Sequence, residues 1–443
     1  MVETHAQASE DQLIDGLSFK LGNSASYITD RKSVTFQATG SNIYTGSGTG
    51  TKVIKFQLNS DGWMDVSTAR VMFNLENLGA DDQILRPLQG AYSFFRRLRI
   101  SVGGCLVEDI SEYSRVHHMF EMLTSVHNRD NDDIEGFGHR SDAGDGSDPN
   151  FDHTLTSLTG IDAQSYQTVG FKLCSGLFNQ AKMLPLKYAP ITVELELVTD
   201  NLAPIVNPAV GSDFLPANTS AKWQISDVVF KCDIITLDNT LQNNYDSHLL
   251  SGKTLPINYN TYIVQSQVVS GKNVSVNMSR AISRLKSIFV SLYREPTTVK
   301  AADKEWLNHY HPMSNLVGGA YSKDYELEFQ IQLGSKLFPE YPIRSLSESY
   351  AQLKKSVRIL GSNFHSMSMT PKQYRNNHFV LGIDTEKSIG SAWTGISTKQ
   401  GDLLTVKMKG DTSIEAVMPT QVFVILHSDN ILELSDSGCS VLD

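Results

Sequence analysis

Short hydrophobic runs rich in β-branched and aromatic residues recur along most of the chain, and polar turn residues separate them. In the first half these runs are Val53–Leu58, Ala69–Leu75, Phe94–Val102, Thr168–Leu173, Ile191–Val198 and Trp223–Ile235. In the second half they are Tyr262–Val269, Ser287–Tyr293, Tyr325–Leu333, His378–Ile383, Leu403–Met408, Gln421–Leu426 and Ile431–Leu434. Such runs, bounded by Gly, Pro, Asn or Asp, are typical of strands. Their density predicts an all-β protein made of sandwiches.

Two segments depart from this pattern because their apolar residues recur every three or four positions. The first is about Ser111–Ser125, and the second is about Leu346–Ser356. The apolar positions of the first segment are Tyr113, Val116, Phe120 and Leu123. Ser345 and Glu348 form the S-x-x-E pattern of a capping box at the start of the second segment. Both segments are therefore predicted to be short amphipathic helices.

The two predicted helices follow similar strand–glycine units, half a chain apart. Gly103 and Gly334 are separated by 231 residues, and Ser111 and Ser345 by 234. A nearly constant offset predicts two copies of one fold, and 443 residues are too many for one ordinary core. The predicted organisation is an N-terminal arm at 1–25, a first domain at 26–237, a connector at 238–256 and a second domain at 257–443.

Residues 127–165 are rich in Asp and Gly and are predicted to form a long acidic surface loop. A second loop is expected over about Asn201–Ser220. The acidic positions of the first loop are Asp142, Asp145, Asp148 and Asp152. Their spacing of three, three and four does not match the one-three-five spacing of an EF-hand calcium loop. A solvated loop is favoured over a metal site.

The chain carries a net charge of −10, whereas a freely diffusing DNA-binding protein normally shows a basic face. Direct, sequence-specific nucleic-acid binding is therefore not expected. The four cysteines form no CxxC motif, and free thiols are favoured over a disulfide framework. The polar N-terminus lacks the features of a secretory signal, and no run of about 18 apolar residues is present. Synthesis inside a cell is expected.

The sequence shows no G-x-S-x-G motif and no P-loop, and Thr45–Gly50 (TGSGTG) lacks the Walker lysine. His309 and His311 could face one side of a strand and bind a metal, but no Cys or acidic neighbour completes a ligand set. A loop or interface role is favoured for them. The protein is therefore expected not to be an enzyme and to need neither a cofactor nor a metal.

The run Phe94–Ile100 mixes aromatic residues with arginines. On a regular strand, Phe95, Arg97 and Arg99 would share one face. Arginine is favoured at protein interfaces because its planar fork makes several bonds, so this face is interpreted as a contact between subunits. The alternative is a clamp in which arginines and aromatic rings hold nucleic acid.

Several blocks resemble the major capsid proteins of polinton-like viruses and virophages. The most specific is Ser93–Leu123, where a strand leads through a glycine turn into V-E-D-I and then into a helix with Y-x-R-V-H. The helix motif is formed here by Tyr113, Arg115, Val116 and His117. Further similar blocks, in the expected order, are Ser26–Gly40, Asp61–Leu75, Ile331–Val357 and Ile431–Asp443.

The resemblance implies two tandem eight-stranded jelly rolls with a few short helices and long surface loops, as in the adenovirus hexon lineage. It implies a homotrimer whose six barrels form a pseudo-hexagonal capsomer of an icosahedral shell. The partners would be other copies of the chain, penton proteins and minor capsid or cement proteins. The location would be the virion, after synthesis and assembly in the host cell. The candidate interface residues are then Arg97, Arg99, Arg115 and His117. The acidic loop would form a tower on the outer surface.

Two other functions are compatible with the predicted sandwich fold. A lectin-like or spike-like binding protein would be a monomer or small oligomer with an aromatic carbohydrate patch. A hydrolase would need an active site assembled from loops, and the sequence shows no nucleophile beside a base. Fold alone does not decide among these functions.

The tower interpretation predicts the effect of deleting Asp142–Asp152. We expect the shortened chain to form the same oligomer as the full chain, because an exposed loop adds little to the core. Light scattering of both chains measures this. Loss of the oligomer would place the loop in the core or in an interface.

Overall fold

The computed structural model describes residues 27–46, 52–87, 89–125, 128, 132, 134–137, 160–205, 219–271, 273–293, 309, 327–359, 367, 369, 374, 378–387, 395–399, 403–410 and 419–443. In the first half, the strands are β1 Ile28–Thr39, β2 Ile43–Thr45, β3 Val53–Leu58, β4 Trp63–Asn77, β5 Phe95–Val102, β6 Cys105–Ser111, β7 Tyr166–Phe171, β8 Leu184–Pro185, β9 Ile191–Leu197 and β10 Trp223–Leu237. In the second half, they are β11 Leu255–Val268, β12 Asn273–Met278, β13 Leu285–Tyr293, β14 Leu327–Leu333, β15 Lys336–Ile343, β16 Val380–Asp384, β17 Leu404–Gly410, β18 Gln421–Ser435 and β19 Gly438–Leu442. The helices are α1 Tyr113–Met122, α2 Gly176–Asn179, α3 Asn239–Leu250 and α4 Leu346–Ser356.

The second half is a sandwich of two antiparallel sheets. One sheet has the order β11-β18-β13-β16, and the other has the order β12-β17-β14-β15. If the eight strands β11 to β18 are counted along the chain, the two orders become 1-8-3-6 and 2-7-4-5. This pairing of early strands with late ones is the order of a jelly roll. The additional strand β19 pairs with the C-terminal part of β18.

The first half repeats this order. Its sheets are β1-β10-β4-β7 and β3-β9-β5-β6, which are again 1-8-3-6 and 2-7-4-5 when the short strands β2 and β8 are left out. The two sheets are joined where the end of β1 pairs with β3, at Ala38–Phe56 and Thr39–Lys55. The all-β prediction and the prediction of two tandem eight-stranded jelly rolls are confirmed.

Alternation of side chains explains why these segments form sandwiches. In β9, every second residue from Ile191 to Leu197 is buried, and the residues between them are partly exposed. The inward residues of both sheets fill the core, as the two-residue period of a strand requires. In β18 the alternation is lost over Val422–Leu426, which are all buried, because this central strand is covered on both faces.

The glycines that indicated the duplication lie at equivalent hairpin turns. Gly103 joins β5 to β6, and Gly334 joins β14 to β15, with φ angles of 55° and 58°. A side chain at this left-handed φ is unfavourable, so glycine is the residue that suits both turns. In each half, the next element is a helix that leads to the sixth strand of the jelly roll.

The helices agree with the sequence patterns to different degrees. α4 spans Leu346–Ser356 as predicted, and the Ser345–Glu348 capping box is present. α1 is shorter than predicted and begins after Glu112, which is left-handed and makes no side-chain cap. Most of the predicted connector, residues 238–256, is the helix α3. Residues 421–435 form one strand where two were predicted.

The prediction that Phe95 shares one face of its strand with Arg97 and Arg99 was wrong. A β-bulge in the pairing of β5 with β9 lies between Phe95 and Arg97, so the alternation shifts by one residue at Arg96. Phe95 is therefore fully buried, with its ring 5.7 Å from the ring of Phe73. Arg97 and Arg99 remain together on the outer face of the sheet.

Candidate functional site

The outer face of the β3-β9-β5-β6 sheet carries a ladder of alternating charges, which includes two of the candidate interface residues. Arg97 forms a two-pronged pair with Asp109, with both N–O distances at 2.7 Å. Arg99 lies between Asp109 and Glu194, at 3.8 and 3.7 Å. Lys55 extends the ladder to Glu194 at 3.3 Å. The ladder is partly exposed, and its opposite charges are matched within the sheet.

Arg115 lies inside the chain, between the two jelly rolls. Its side chain is 4% exposed, and its guanidinium stands over the rings of Phe423 and Tyr293, at 4.2 and 5.2 Å from their centroids. Burial lowers the pKa of Arg115 to about 10, which keeps it charged at neutral pH. The face of α1 that carries Arg115 therefore binds the second jelly roll of the same chain. A contact between subunits stays a prediction for this residue.

His117, the fourth candidate interface residue, packs within the first jelly roll. Its ring stacks on Tyr92 with 3.9 Å between centroids and meets the edge of Phe171. Its Nε2 lies 3.0 Å from the Lys172 carbonyl oxygen. Burial of the ring lowers the pKa of His117 to about 4, so the ring is neutral at physiological pH. Its role between subunits also stays a prediction.

A histidine pair joins α1 to the second jelly roll. His118 Nδ1 lies 3.1 Å from His309 Nε2, and His309 Nδ1 lies 2.6 Å from the Ser291 hydroxyl. His309 is fully buried. Burial lowers its pKa well below the ordinary value, and the nearby His118 and Arg115 lower it further. His311, its partner in the sequence pattern, lies outside the described residues.

Glu108 of the V-E-D-I motif is a buried structural residue whose role is not evident from the sequence. Its buried carboxylate accepts hydrogen bonds from the Ser175 hydroxyl and from the backbone N–H groups of Gly176 and Leu177, the last two at 3.0 and 3.3 Å. Burial raises the pKa of Glu108 to about 7. The carboxylate thus fixes the start of α2 against β6.

α2 in turn touches the second jelly roll. A Cβ atom built on Gly176 would lie 1.5 Å from the backbone oxygen of Asn260, so the two backbones are in direct contact there. Nearby, the Tyr259 hydroxyl donates a hydrogen bond to the Val107 carbonyl oxygen at 3.0 Å. Together with Phe120, which packs 4.7 Å from Tyr262 between ring centroids, these contacts dock the two jelly rolls closely.

A polar cavity of about 290 Å³ lies at this junction. Lys286 lines it and is paired with Asp429 at 3.1 Å and with Glu386 at 3.9 Å. Within the described residues, no cluster of His, Cys, Asp and Glu side chains is arranged to hold a metal ion. In the same part of the chain, no helix is long and apolar enough to cross a membrane. The described residues do not include most of the acidic loop, and so they do not include Asp142, Asp145, Asp148 and Asp152.

Comparisons with solved structures find the same arrangement over nearly the whole chain. A quasi-atomic model of the PBCV-1 virus capsid matches with a TM-score of 0.60 and 13% identity, over 96% of this chain and 99% of that one. The Sputnik virophage structure matches with a TM-score of 0.58 and 10% identity, over 98% and 92%. The Faustovirus major capsid protein matches with a TM-score of 0.56 and 9% identity, over 95% and 93%.

The chain has the double jelly-roll fold. These likenesses cover both halves and the junction between them, in agreement with the strand orders of the two sandwiches. No protein-family model matches the sequence, and the comparison with curated proteins finds no match either. The double jelly-roll fold is therefore established here by the structure, at sequence identities of 13% or less.

Gly176→Ala tests whether the contact of α2 with Asn260 holds the two jelly rolls together. The added methyl group would overlap the Asn260 backbone, so the junction must open, at a cost of about 1–3 kcal/mol. We expect faster proteolysis of the connector, residues 238–256, at an unchanged protease concentration. Gly170→Ala is the control, because Gly170 lies in β7, away from the junction, and the nearest atoms to an added Cβ belong to Met72 and Val71 of β4, at 3.1 Å or more. Equal cleavage of the two variants would contradict this role for Gly176.

The buried histidines predict that stability falls on acidification. The pKa of His117 is lowered to about 4 and that of His427 to about 3, both mainly by burial. Between pH 6.5 and 4 the unfolded chain therefore binds more protons than the folded chain. Each histidine lowers the free energy of unfolding by up to about 1.4 kcal/mol per pH unit as the pH falls. Glu108 has the opposite sign, because its raised pKa favours the folded state at low pH.

Thermal unfolding of the wild type and of His427→Phe at pH 7.0 and 5.0 separates these contributions. We expect the melting temperature to fall more for the wild type than for the variant, because the variant has one fewer histidine to protonate on unfolding. Equal decreases would show that His427 does not titrate as its burial predicts.

Proposed function

We propose that the chain is a viral major capsid protein, with a structural rather than a catalytic role. The observation that carries this proposal is the double jelly-roll fold itself. It uses nearly the whole chain, with both rolls in the same strand order and docked through buried contacts. Of the solved structures that share this arrangement, one is described as a virus capsid, one as a virophage and one as a major capsid protein. The corresponding location is the virion, after synthesis and assembly in a host cell.

The docking of the two rolls supports a homotrimer. Within the chain, β6 of the first roll lies beside β11 of the second, and α1 follows β6 into the junction. Their counterparts in the second roll are β15 and α4. On the single chain, Tyr341 and Leu337 of β15 are 81% and 40% exposed. The counterpart of β11 is β1, whose first six residues are all exposed.

These two exposed surfaces correspond, by their place in the strand order, to the two surfaces that are in contact within the chain. If β15 and α4 of one copy dock beside β1 of the next, each contact between chains repeats the contact within the chain. A repeated head-to-tail contact of this kind forms a ring when its rotation closes. Closure after three chains gives six jelly rolls, which is a pseudo-hexagonal capsomer. The acidic loop could then lie on the outer surface of the capsomer. The edges of the ring could contact neighbouring capsomers, pentons and minor capsid proteins.

Expression of the full chain tests the proposal. We expect light scattering to give about 147 kDa, which is three times the 49.0 kDa of one chain, and negative-stain images to show six-lobed particles. A stable monomer without such particles would contradict the capsid proposal and favour a binding protein on the same fold.

A substitution in β15 tests which surface forms the ring. Tyr341→Asp places a charge on the proposed contact and should weaken association at least about tenfold, so that monomers of 49.0 kDa appear. Tyr166→Asp is the matched control, because Tyr166 is 65% exposed but lies in β7, at the other edge of its sheet from β1. A trimer that persists in Tyr341→Asp would exclude this edge from the interface.

A further inference from the structure

Two half-buried cysteines lie on opposite sides of the junction between the jelly rolls. Cys105 is the first residue of β6, directly after the Gly103–Gly104 turn, and pairs with Val102 across the hairpin. Cys439 lies in β19, where it pairs with Leu434 of β18. The first cysteine thus belongs to the first roll and the second to the second roll. Both are free thiols in the structure.

The two hairpins meet at this point. β19 lies beside β6, and a Cβ atom built on Gly103 would be 2.6 Å from the Cys439 Sγ and 3.6 Å from its Cβ. Disulfide-bonded residues have Cβ atoms about 3.5–4.5 Å apart. Cys439 therefore packs against the turn at Gly103, and Cys105 follows two residues later at the start of β6. A disulfide bond would bring the Cβ atoms of Cys105 and Cys439 to that separation. The Cys105 thiol is also close enough to act electrostatically on the Cys439 thiol.

We propose that Cys105 and Cys439 are a paired oxidation site, at which a disulfide bond locks the first jelly roll to the second. The proposal goes beyond the proposed capsid function, because it concerns the two rolls of one chain and does not require a trimer. It would leave the rolls free to dock during synthesis in a reducing compartment and would join them covalently once the protein meets an oxidant. Protein disulfides are rare in reducing compartments, whereas they form and persist outside cells.

The local structure favours this pair over the other two cysteines. Cys232 is 1% exposed within β10, out of reach of a reagent in solution. Cys174 lies against α1, where its backbone N–H donates to the Tyr113 hydroxyl at 2.9 Å. Cys105 and Cys439 are partly exposed, as Cys174 is, but they lie where β6 meets β19. No atom lies within 4 Å of a Cβ built on Gly104, so the turn beside Cys105 has room to adjust.

The oxidant can be a low-molecular-weight disulfide such as oxidised glutathione. A thiolate of the pair attacks one glutathione sulfur, which forms a mixed disulfide and releases one glutathione thiolate. The second cysteine, as a thiolate, then attacks the protein sulfur of the mixed disulfide and releases the second glutathione thiolate. The two cysteine thiols are oxidised, their two protons pass to the released glutathione, and one glutathione disulfide is reduced. Burial, followed by the nearby Cys105, raises the pKa of Cys439, so the attack is faster in mildly alkaline solution.

Peptide mapping of the full chain tests the proposal. Reduced protein is incubated with oxidised glutathione at pH 8, quenched with N-ethylmaleimide and digested with trypsin. We expect the peptides 100–115 and 410–443, which contain Cys105 and Cys439, to appear joined by a disulfide. The oxidised chain should also melt at a higher temperature than the reduced chain, because the bond constrains an unfolded loop of more than 300 residues.

Matched variants separate the pair from the other cysteines. The double variant Cys174→Ser, Cys232→Ser should keep both the joined peptides and the rise in melting temperature. Cys105→Ser and Cys439→Ser should each lose both, and either one suffices if the other does not fold. Glutathione on both cysteines without joined peptides, or a bond between two copies of the chain, would overturn the proposal. Peptide mapping of the wild type, together with a non-reducing gel that separates a bond within one chain from a bond between two chains, gives this answer even without the variants.

Discussion

The junction between the two jelly rolls depends on a carboxyl group buried within the first. Glu108 cannot be left without partners in the core, because an unsatisfied buried carboxyl group costs several kcal/mol. Ser175 and the first N–H groups of α2 satisfy it, and this brings Gly176 to the surface that meets Asn260. The same strand, β6, supplies the Val107 carbonyl oxygen for Tyr259. A polar requirement inside one roll therefore positions the backbone that docks the other.

The repeated strand–glycine–helix unit differs between the two jelly rolls. α4 begins with a complete capping box and lies against β16 of its own roll. α1 begins at a left-handed Glu112 without a side-chain cap and is held by contacts on both sides. Its residues Phe120, Arg115 and His118 contact the second roll, whereas His117 faces the first. The first helix is thus stabilised by the junction, and the second by its own sequence.

This difference also explains how much could be predicted from the sequence. Local signals were sufficient to predict α4, because Ser345, Glu348 and the helical spacing all lie within or next to that segment. They were also sufficient to predict the hairpin turns at Gly103 and Gly334. The burial of Arg115 could not be predicted, since the rings that cover it come from residues about 180 and 310 positions later in the chain. The inward turn of Phe95 had the same origin, because the bulge is a property of the pairing with β9. In the candidate site, residue types were identified, but their partners depend on long-range packing.

The pairing of β1 with β10 has a consequence for biosynthesis. Ile28 lies opposite Leu237, so the first sandwich cannot close until its last strand has left the ribosome. At about 5–20 residues per second, this delay is roughly 10–40 s. During that time the apolar faces of the earlier strands emerge one after another without their full set of neighbours. A protein made in large amounts with this topology places a sustained demand on the chaperones of the cell that makes it, and a higher translation rate shortens the interval in which each nascent chain is open to aggregation.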